Sequence, residues 1–350
     1  GTRSGDRRSP QMTKLVVWSV ALILKLFLLG CTPATEEVGA SAPLTVGELW
    51  HALQIQEPST SEGIRARIDS VSERRDIVTQ YLTLFVGDSA IPALACYSRL
   101  GDSQRLPTLL WMPGSPNIKE DLIHTLDLLP TWADRGFFVF SIDRPFHGDR
   151  PGDREQEIRQ RGLPAVLGDY IVDLQRAVDY LMTRPEVDSE RLGMIGLSTG
   201  GLEALILGAI DPRLKAIICV SGQVTWPEVF ASGTWKKIFA GLPVADSLIA
   251  AGAASGDALA TLSARMPGLT SLDAARLVPL IAPRPLLLLG GVNDLLVPRT
   301  SSHATAAAAE RAYASQSTPD HFTMILEPGR GHAFSKKMQA RTLAWCERWL

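Results

Sequence analysis

The pentapeptide Gly196-Leu197-Ser198-Thr199-Gly200 stands where a short apolar run, Leu192 to Leu197, meets an apolar helical run. This G-x-S-x-G in a strand-turn-helix setting constrains the chain more than any other stretch. A nucleophile elbow holds its serine on a tight strand-to-helix turn with strained backbone angles, so small residues are needed two positions either side. Gly196 and Gly200 supply them.

A serine hydroxyl is a poor nucleophile until a base takes its proton, and the base needs an orienting carboxylate. The expected chain order is therefore Ser, then Asp or Glu, then His. Pro285-Leu-Leu-Leu-Leu-Gly-Gly-Val-Asn-Asp294 reads as an apolar strand ending in a glycine turn and an acid. Phe322-Thr-Met-Ile-Leu-Glu-Pro-Gly-Arg-Gly-His332 reads as a second strand ending in a glycine loop and a histidine. Ser198, Asp294 and His332 are the candidate catalytic residues. Glu327 and Asp320 are rival acids, but each lies too close in sequence to His332 to come from a separate strand end. His147 precedes Ser198 and is read as a loop residue bonded locally. His51, His124, His303 and His321 follow no strand and glycine loop and are read as surface residues.

This order and placement resemble the α/β-hydrolase superfamily, in its dienelactone-hydrolase-like and carboxylesterase group, from about Ile64 to the C-terminus. The resemblance implies an oxyanion hole built from backbone N–H groups. One is expected from Thr199, directly after the nucleophile. The second is expected from Met112-Pro113-Gly114-Ser115-Pro116-Asn117-Ile118-Lys119-Glu120, which resembles the His-Gly-x-Gly-Gly-Asn-Lys-Glu loop of that group with Pro113 and Pro116 as departures. Proline has no N–H, so Ser115 is the candidate donor. Ser141-Ile-Asp-Arg-Pro-Phe-His-Gly-Asp-Arg150 and Ala282-Pro-Arg-Pro-Leu are similar to further segments of the group.

The remaining pattern agrees with this fold class. Ile64 to Val71, Asp76 to Val86 and Ile91 to Arg99 alternate imperfectly, as antiparallel strands do. Six apolar strands follow, at Leu106 to Met112, Gly136 to Ile142, Leu192 to Leu197, Leu214 to Val220, Pro285 to Leu289 and Phe322 to Leu326, with helices between them. Runs apolar on both faces imply a largely parallel sheet covered on both sides. The domain is expected over 46–350. The long interval from Gly222 to Pro283 is read as a helical cap insertion over about 223–282, and its Trp226, Phe230, Trp235 and Phe239 either wall an acyl pocket or pack the cap.

Residues 1–11 are read as upstream sequence, with Met12 as a natural start. Leu15 to Leu29 suits an export signal and is too short and too interrupted, by Ser19 and Lys25, for a spanning helix. It ends in Leu28-Leu29-Gly30-Cys31, which resembles a bacterial lipobox, so Cys31 is a candidate lipidation site; a non-lipidated signal and a membrane anchor are the alternatives. Residues 32–45 read as a flexible tether. Once Cys31 is set aside, Cys96, Cys219 and Cys346 are an odd number and indicate no disulfide framework. No metal-ligand spacing occurs, no cofactor is implied, and a net charge of −2 does not suit a nucleic-acid partner.

The expectation is an exported serine carboxylic-ester hydrolase. It would act on short-chain acyl esters through an acyl-enzyme, with a small-molecule ester as its partner. A carbohydrate deacetylase of the acetyl xylan esterase type is the alternative within the enzyme class, and a catalytically silent surface lipoprotein the alternative outside it.

Overall fold

The chain alternates runs of β-branched and leucine-rich residues with amphipathic segments, and each run becomes a strand of one sheet. The computed structural model describes residues 43–55, 63–99 and 105–350. The strands are β1 (Arg65–Arg74), β2 (Ile77–Val86), β3 (Ser89–Ser98), β4 (Leu106–Met112) and β5 (Phe138–Ile142), then β6 (Val187–Leu197), β7 (Ala216–Val220), β8 (Leu286–Gly291) and β9 (Phe322–Glu327). Their spatial order is β1-β2-β3-β5-β4-β6-β7-β8-β9. The first three strands pair antiparallel, β3 pairs antiparallel to β5, and β5-β4-β6-β7-β8-β9 is parallel throughout. The turn between β1 and β2 is Arg75-Asp76, both at positive φ, so β1 runs on through Ser72 to Arg74, beyond the Val71 at which the expected strand ended.

Period-two alternation divides the core in two. Leu110, Met112, Met194, Ile217, Cys219, Leu286 and Leu288 point to one face, together with the helices Leu163–Leu181, Thr199–Ile210, Ala274–Ile281 and Arg299–Ser315. Leu109, Trp111, Ile195, Ile218, Val220, Leu287 and Leu289 point to the other, against Leu128–Ala133 and Lys336–Trp349. Both faces are buried, which is why these strands read as continuous apolar runs. The parallel strands all end on one rim, where active sites of open α/β sheets lie. Ser198, Asp294 and His332 each follow the carboxyl end of a strand on that rim: β6, β8 and β9.

The interval 223–282 folds as five helices and a 3-10 turn between β7 and β8. Phe230, Trp235 and Phe239 are almost wholly buried; Phe230 stacks on Trp235 with centroids 5.3 Å apart and meets Phe239 at a tilt, 6.2 Å away. Trp226 stacks on Phe239 at 5.7 Å. Asp273 ties the segment together: its Oδ2 accepts from Trp226 N at 2.8 Å and its Oδ1 from Ala275 N at 2.9 Å. Burial raises the Asp273 carboxyl to about 6 against those hydrogen bonds. The last helix, Ala274–Ile281, packs on Thr199–Ile210 and Arg299–Ser315, within the layer flanking the sheet.

Among the described residues no helix is long and apolar enough to cross a membrane, and no group of side chains could hold a metal ion. Cys96, Cys219 and Cys346 are free and buried. Burial pushes the thiols of Cys96 and Cys219 up to about 11 and about 12, so both are inert at neutral pH. The export signal, the Cys31 lipobox and the tether up to residue 42 lie outside the described residues.

Candidate active site

The elbow is built by backbone crowding. Ser198 has φ 57° and ψ −118°, a strained conformation for a residue with a side chain. It caps the helix Thr199–Ile210, and its N–H donates to Val220 O at 2.8 Å. A Cβ on Gly196 would meet Gly200 O at 1.8 Å, and one on Gly200 would meet Met112 O at 2.4 Å. Strand, turn and helix therefore pass closer than any side chain allows. Gly114 is close as well: a Cβ there would sit 3.0 Å from the Ser198 Cβ, so the loop after β4 runs directly over the serine.

The loops after β8 and β9 bring Asp294 to His332. His332 Nδ1 lies 2.8 Å from Asp294 Oδ2. A carboxylate can only accept, so Nδ1 carries the proton and Nε2 is left as an acceptor. That Nε2 is buried and has no hydrogen-bond partner. The other Asp294 oxygen accepts from Leu296 N at 2.8 Å and Val297 N at 3.0 Å. Burial pushes the Asp294 carboxyl up, but these three bonds outweigh it and hold the group below its ordinary value, so it stays ionised. Glu327 serves another purpose. It accepts from Arg330 Nε at 3.1 Å and from the Ser335 hydroxyl, bracing the loop that carries His332. Asp320 pairs with Arg348 at 3.1 Å.

Ser198, Thr199, Ser115 and His332 line one cavity of about 450 Å³. Leu163 and Leu167 contribute apolar wall, and Val224, Trp226 and Ile238 come from the interval after β7. Of the four aromatic residues expected as pocket wall or cap packing, Trp226 lines the cavity, while Phe230, Trp235 and Phe239 form the packed interior of that segment.

Two features of this site were not legible in the sequence. His147, read as locally bonded, does contact Pro145 O through Nδ1 at 3.0 Å, but its Nε2 also meets the Ser115 hydroxyl at 2.9 Å, 32 positions away. Arg144 is buried and holds Glu203 on the elbow helix with both Nε and Nη2, the latter at 3.0 Å. The same Nη2 donates to Pro113 O. One guanidinium thus fastens the elbow helix to the loop carrying Ser115. A lone carboxylate inside Gly201-Leu-Glu203-Ala-Leu-Ile-Leu was the available signal, because a charge in an apolar helix needs a buried partner.

Residues 171–316 match the model of the fungal glucuronyl esterase family. Over 242 residues, 66% of this chain and 73% of the relative, the chain is 28% identical to a Bacillus subtilis protein named "Putative hydrolase YtaP". It is similar in fold to acetyl xylan esterase 1 from Thermoanaerobacterium sp. JW/SL YS485, with a TM-score of 0.60 at 17% identity, over 88% of this chain and 94% of that one. It is also similar to a glucuronoyl esterase from Solibacter usitatus, with a TM-score of 0.59 at 15% identity, over 85% of this chain and 91% of that one. With this sheet order and these relatives, the chain has the α/β-hydrolase fold and fits the esterases among the proteins that share it.

Proposed function

We propose that this esterase is a serine carboxylic-ester hydrolase for small acyl esters carried on carbohydrate, with Ser198 as nucleophile, His332 as general base and acid, and Asp294 as its orienting carboxylate. The observation that carries the proposal is the Asp294–His332 pair at 2.8 Å, whose bare Nε2 belongs to the residue that shares one cavity with the strained Ser198. Ser198 Oγ attacks the ester carbonyl carbon while its proton passes to His332 Nε2, and the carbonyl electron pair moves onto oxygen. The N–H groups of Thr199 and Ser115 receive that oxyanion. The intermediate collapses, and the departing alcohol takes the proton from His332. Water then repeats the sequence on the acyl-enzyme, releasing the acid and restoring Ser198.

The carbohydrate part rests on the activities for which the similar proteins are named, and the small-acyl part on the cavity, which at about 450 Å³ suits a short acyl group better than a long chain. Export with a lipid on Cys31 remains part of the proposal, from the lipobox-like Leu28-Leu29-Gly30-Cys31. Labelled fatty acid should enter the product of the natural gene and be lost in Cys31→Ser.

A fluorophosphonate probe and a series of aryl acetate, butyrate, octanoate and palmitate test the enzyme. Wild type should be labelled and Ser198→Ala should not, with kcat/KM falling beyond butyrate. Absence of labelling would favour a silent binding protein, and a kcat/KM still rising at palmitate would remove the small-acyl assignment. Activity confined to acetate would favour deacetylation.

A further inference from the structure

Two cations line the cavity that holds Ser198 and His332, namely Arg154 and Lys237. Arg154 opens the helix Arg154–Arg161 and is half-buried; Lys237 is exposed, on the segment after β7. Neither makes an ion pair with any described residue, whereas Arg144 and Arg150, nearby in sequence, each have a carboxylate. Arg154 also has a buried Nε with no hydrogen-bond partner. The Glu203 carboxylate below it is occupied on both oxygens by Arg144. At Glu203 and His147 burial is the larger influence, but the Arg154 charge acts on both, so its field reaches the floor of the cavity. The remaining charge in the wall is Glu155, exposed beside Arg154 and also without an ion pair.

In the free protein Arg154 lies beside the Tyr170 hydroxyl, but it has no carboxylate and leaves its buried Nε unbonded, so its desolvation is only partly compensated. A ligand can supply the missing partner, and the planar fork suits a carboxylate. We propose that the cavity selects esters whose acid or alcohol part carries a carboxylate, with Arg154 as the specificity-determining residue and Lys237 adding a second positive charge. This rests on the serine-ester reading above and adds the class of substrate. Glu155 opposes the selection by lowering the local positive potential.

Two matched pairs of esters test it on the whole chain. With the carboxylate on the alcohol side, 4-acetoxybenzoate is compared with 4-acetoxybenzamide. With it on the acyl side, methyl hydrogen glutarate is compared with methyl 4-carbamoylbutanoate. In at least one pair kcat/KM should favour the anion by about tenfold at low salt, shrinking several-fold near 0.5 M salt as the charges are screened. Arg154→Gln should bring that ratio toward one, Lys237→Gln should lower it less, and Glu155→Gln should raise it. A merely structural role for Arg154 would depress both members of a pair and leave their ratio alone. Turnover of the neutral esters with no anionic preference in either pair, or a ratio untouched by Arg154→Gln, overturns this inference and leaves the serine-ester reading standing. No turnover of any of the four overturns both.

Discussion

His147 Nε2 accepts the hydroxyl proton of Ser115, and the direction of that bond follows from the other side of the ring. Nδ1 faces the carbonyl of Pro145 at 3.0 Å, and a carbonyl can only accept, so Nδ1 holds the proton and Nε2 is the acceptor at 2.9 Å. Burial, the largest influence on this imidazole, lowers its pKa and keeps it neutral. The bond anchors the side chain of the residue whose N–H is the expected second oxyanion donor.

His147→Ala should therefore lower kcat by about tenfold, less than the 10² to 10³ lost when a donor itself is removed. Ser115→Ala keeps the N–H and should cost a similar amount. Because both remove one bond, the double variant should be no worse than the worse single one. Additive losses in kcat would separate the two residues.

Asp294→Asn would leave no carboxylate opposite His332 Nδ1, and the imidazole would lose the tautomer that exposes a basic Nε2. A fall in kcat of about 10² to 10⁴ is expected, with the melting temperature moved by only a few degrees. Glu327→Gln should retain most of its kcat, since Glu327 contacts Arg330 and Ser335 rather than the imidazole. The reverse ranking of the two variants would move the acid to Glu327.

Asp273 predicts an unusual pH dependence of stability. Its folded-state value of about 6 lies above the roughly 3.9 of an unfolded carboxyl. Between those values the folded chain binds more protons than the unfolded one, so this group's contribution becomes less favourable as pH rises from about 4 to about 6 and then levels off. The full swing is at most about 3 kcal/mol. Asp273→Asn lacks it. The melting temperature of the variant minus that of wild type should increase between pH 4 and pH 7, even though asparagine supplies one fewer acceptor for Trp226 N and Ala275 N. A difference that is flat or falls over this range would contradict the raised value.

Gly196→Ala should fail to build the elbow. The added methyl would meet Gly200 O at 1.8 Å, and that atom is backbone, which cannot rotate away. Loss of fluorophosphonate labelling together with a lower melting temperature is expected. Gly233→Ala offers the contrast, since a Cβ there meets nothing within 4 Å; its φ of 77° makes it mildly strained, and it should keep its labelling.

The sheet, the elbow and the order of the candidate residues were legible from local sequence. Strands buried on both faces must be apolar at every position, and glycines where backbones touch cannot be replaced, so β4 to β9 and Gly196 to Gly200 are local signals. Asp294 and His332 were readable because each closes a glycine turn after a strand. The element ends were less so: β6 begins at Val187 rather than Leu192, because Leu106 pairs with Val187 across the sheet and extends the ladder. Partnerships between distant loops emerge only once the chain is folded. Nothing local distinguishes His147 bonded to Ser115 from a histidine bonded within its own loop. Arg144, Glu203 and Pro113 meet across 31 and 59 positions. The same holds for Trp226 against Phe230, Trp235 and Phe239, four aromatic residues of one segment, of which the fold turns one toward the cavity and packs the others inside. A side chain's polarity says whether it needs a partner, but only the path of the backbone decides which partner comes within 3 Å.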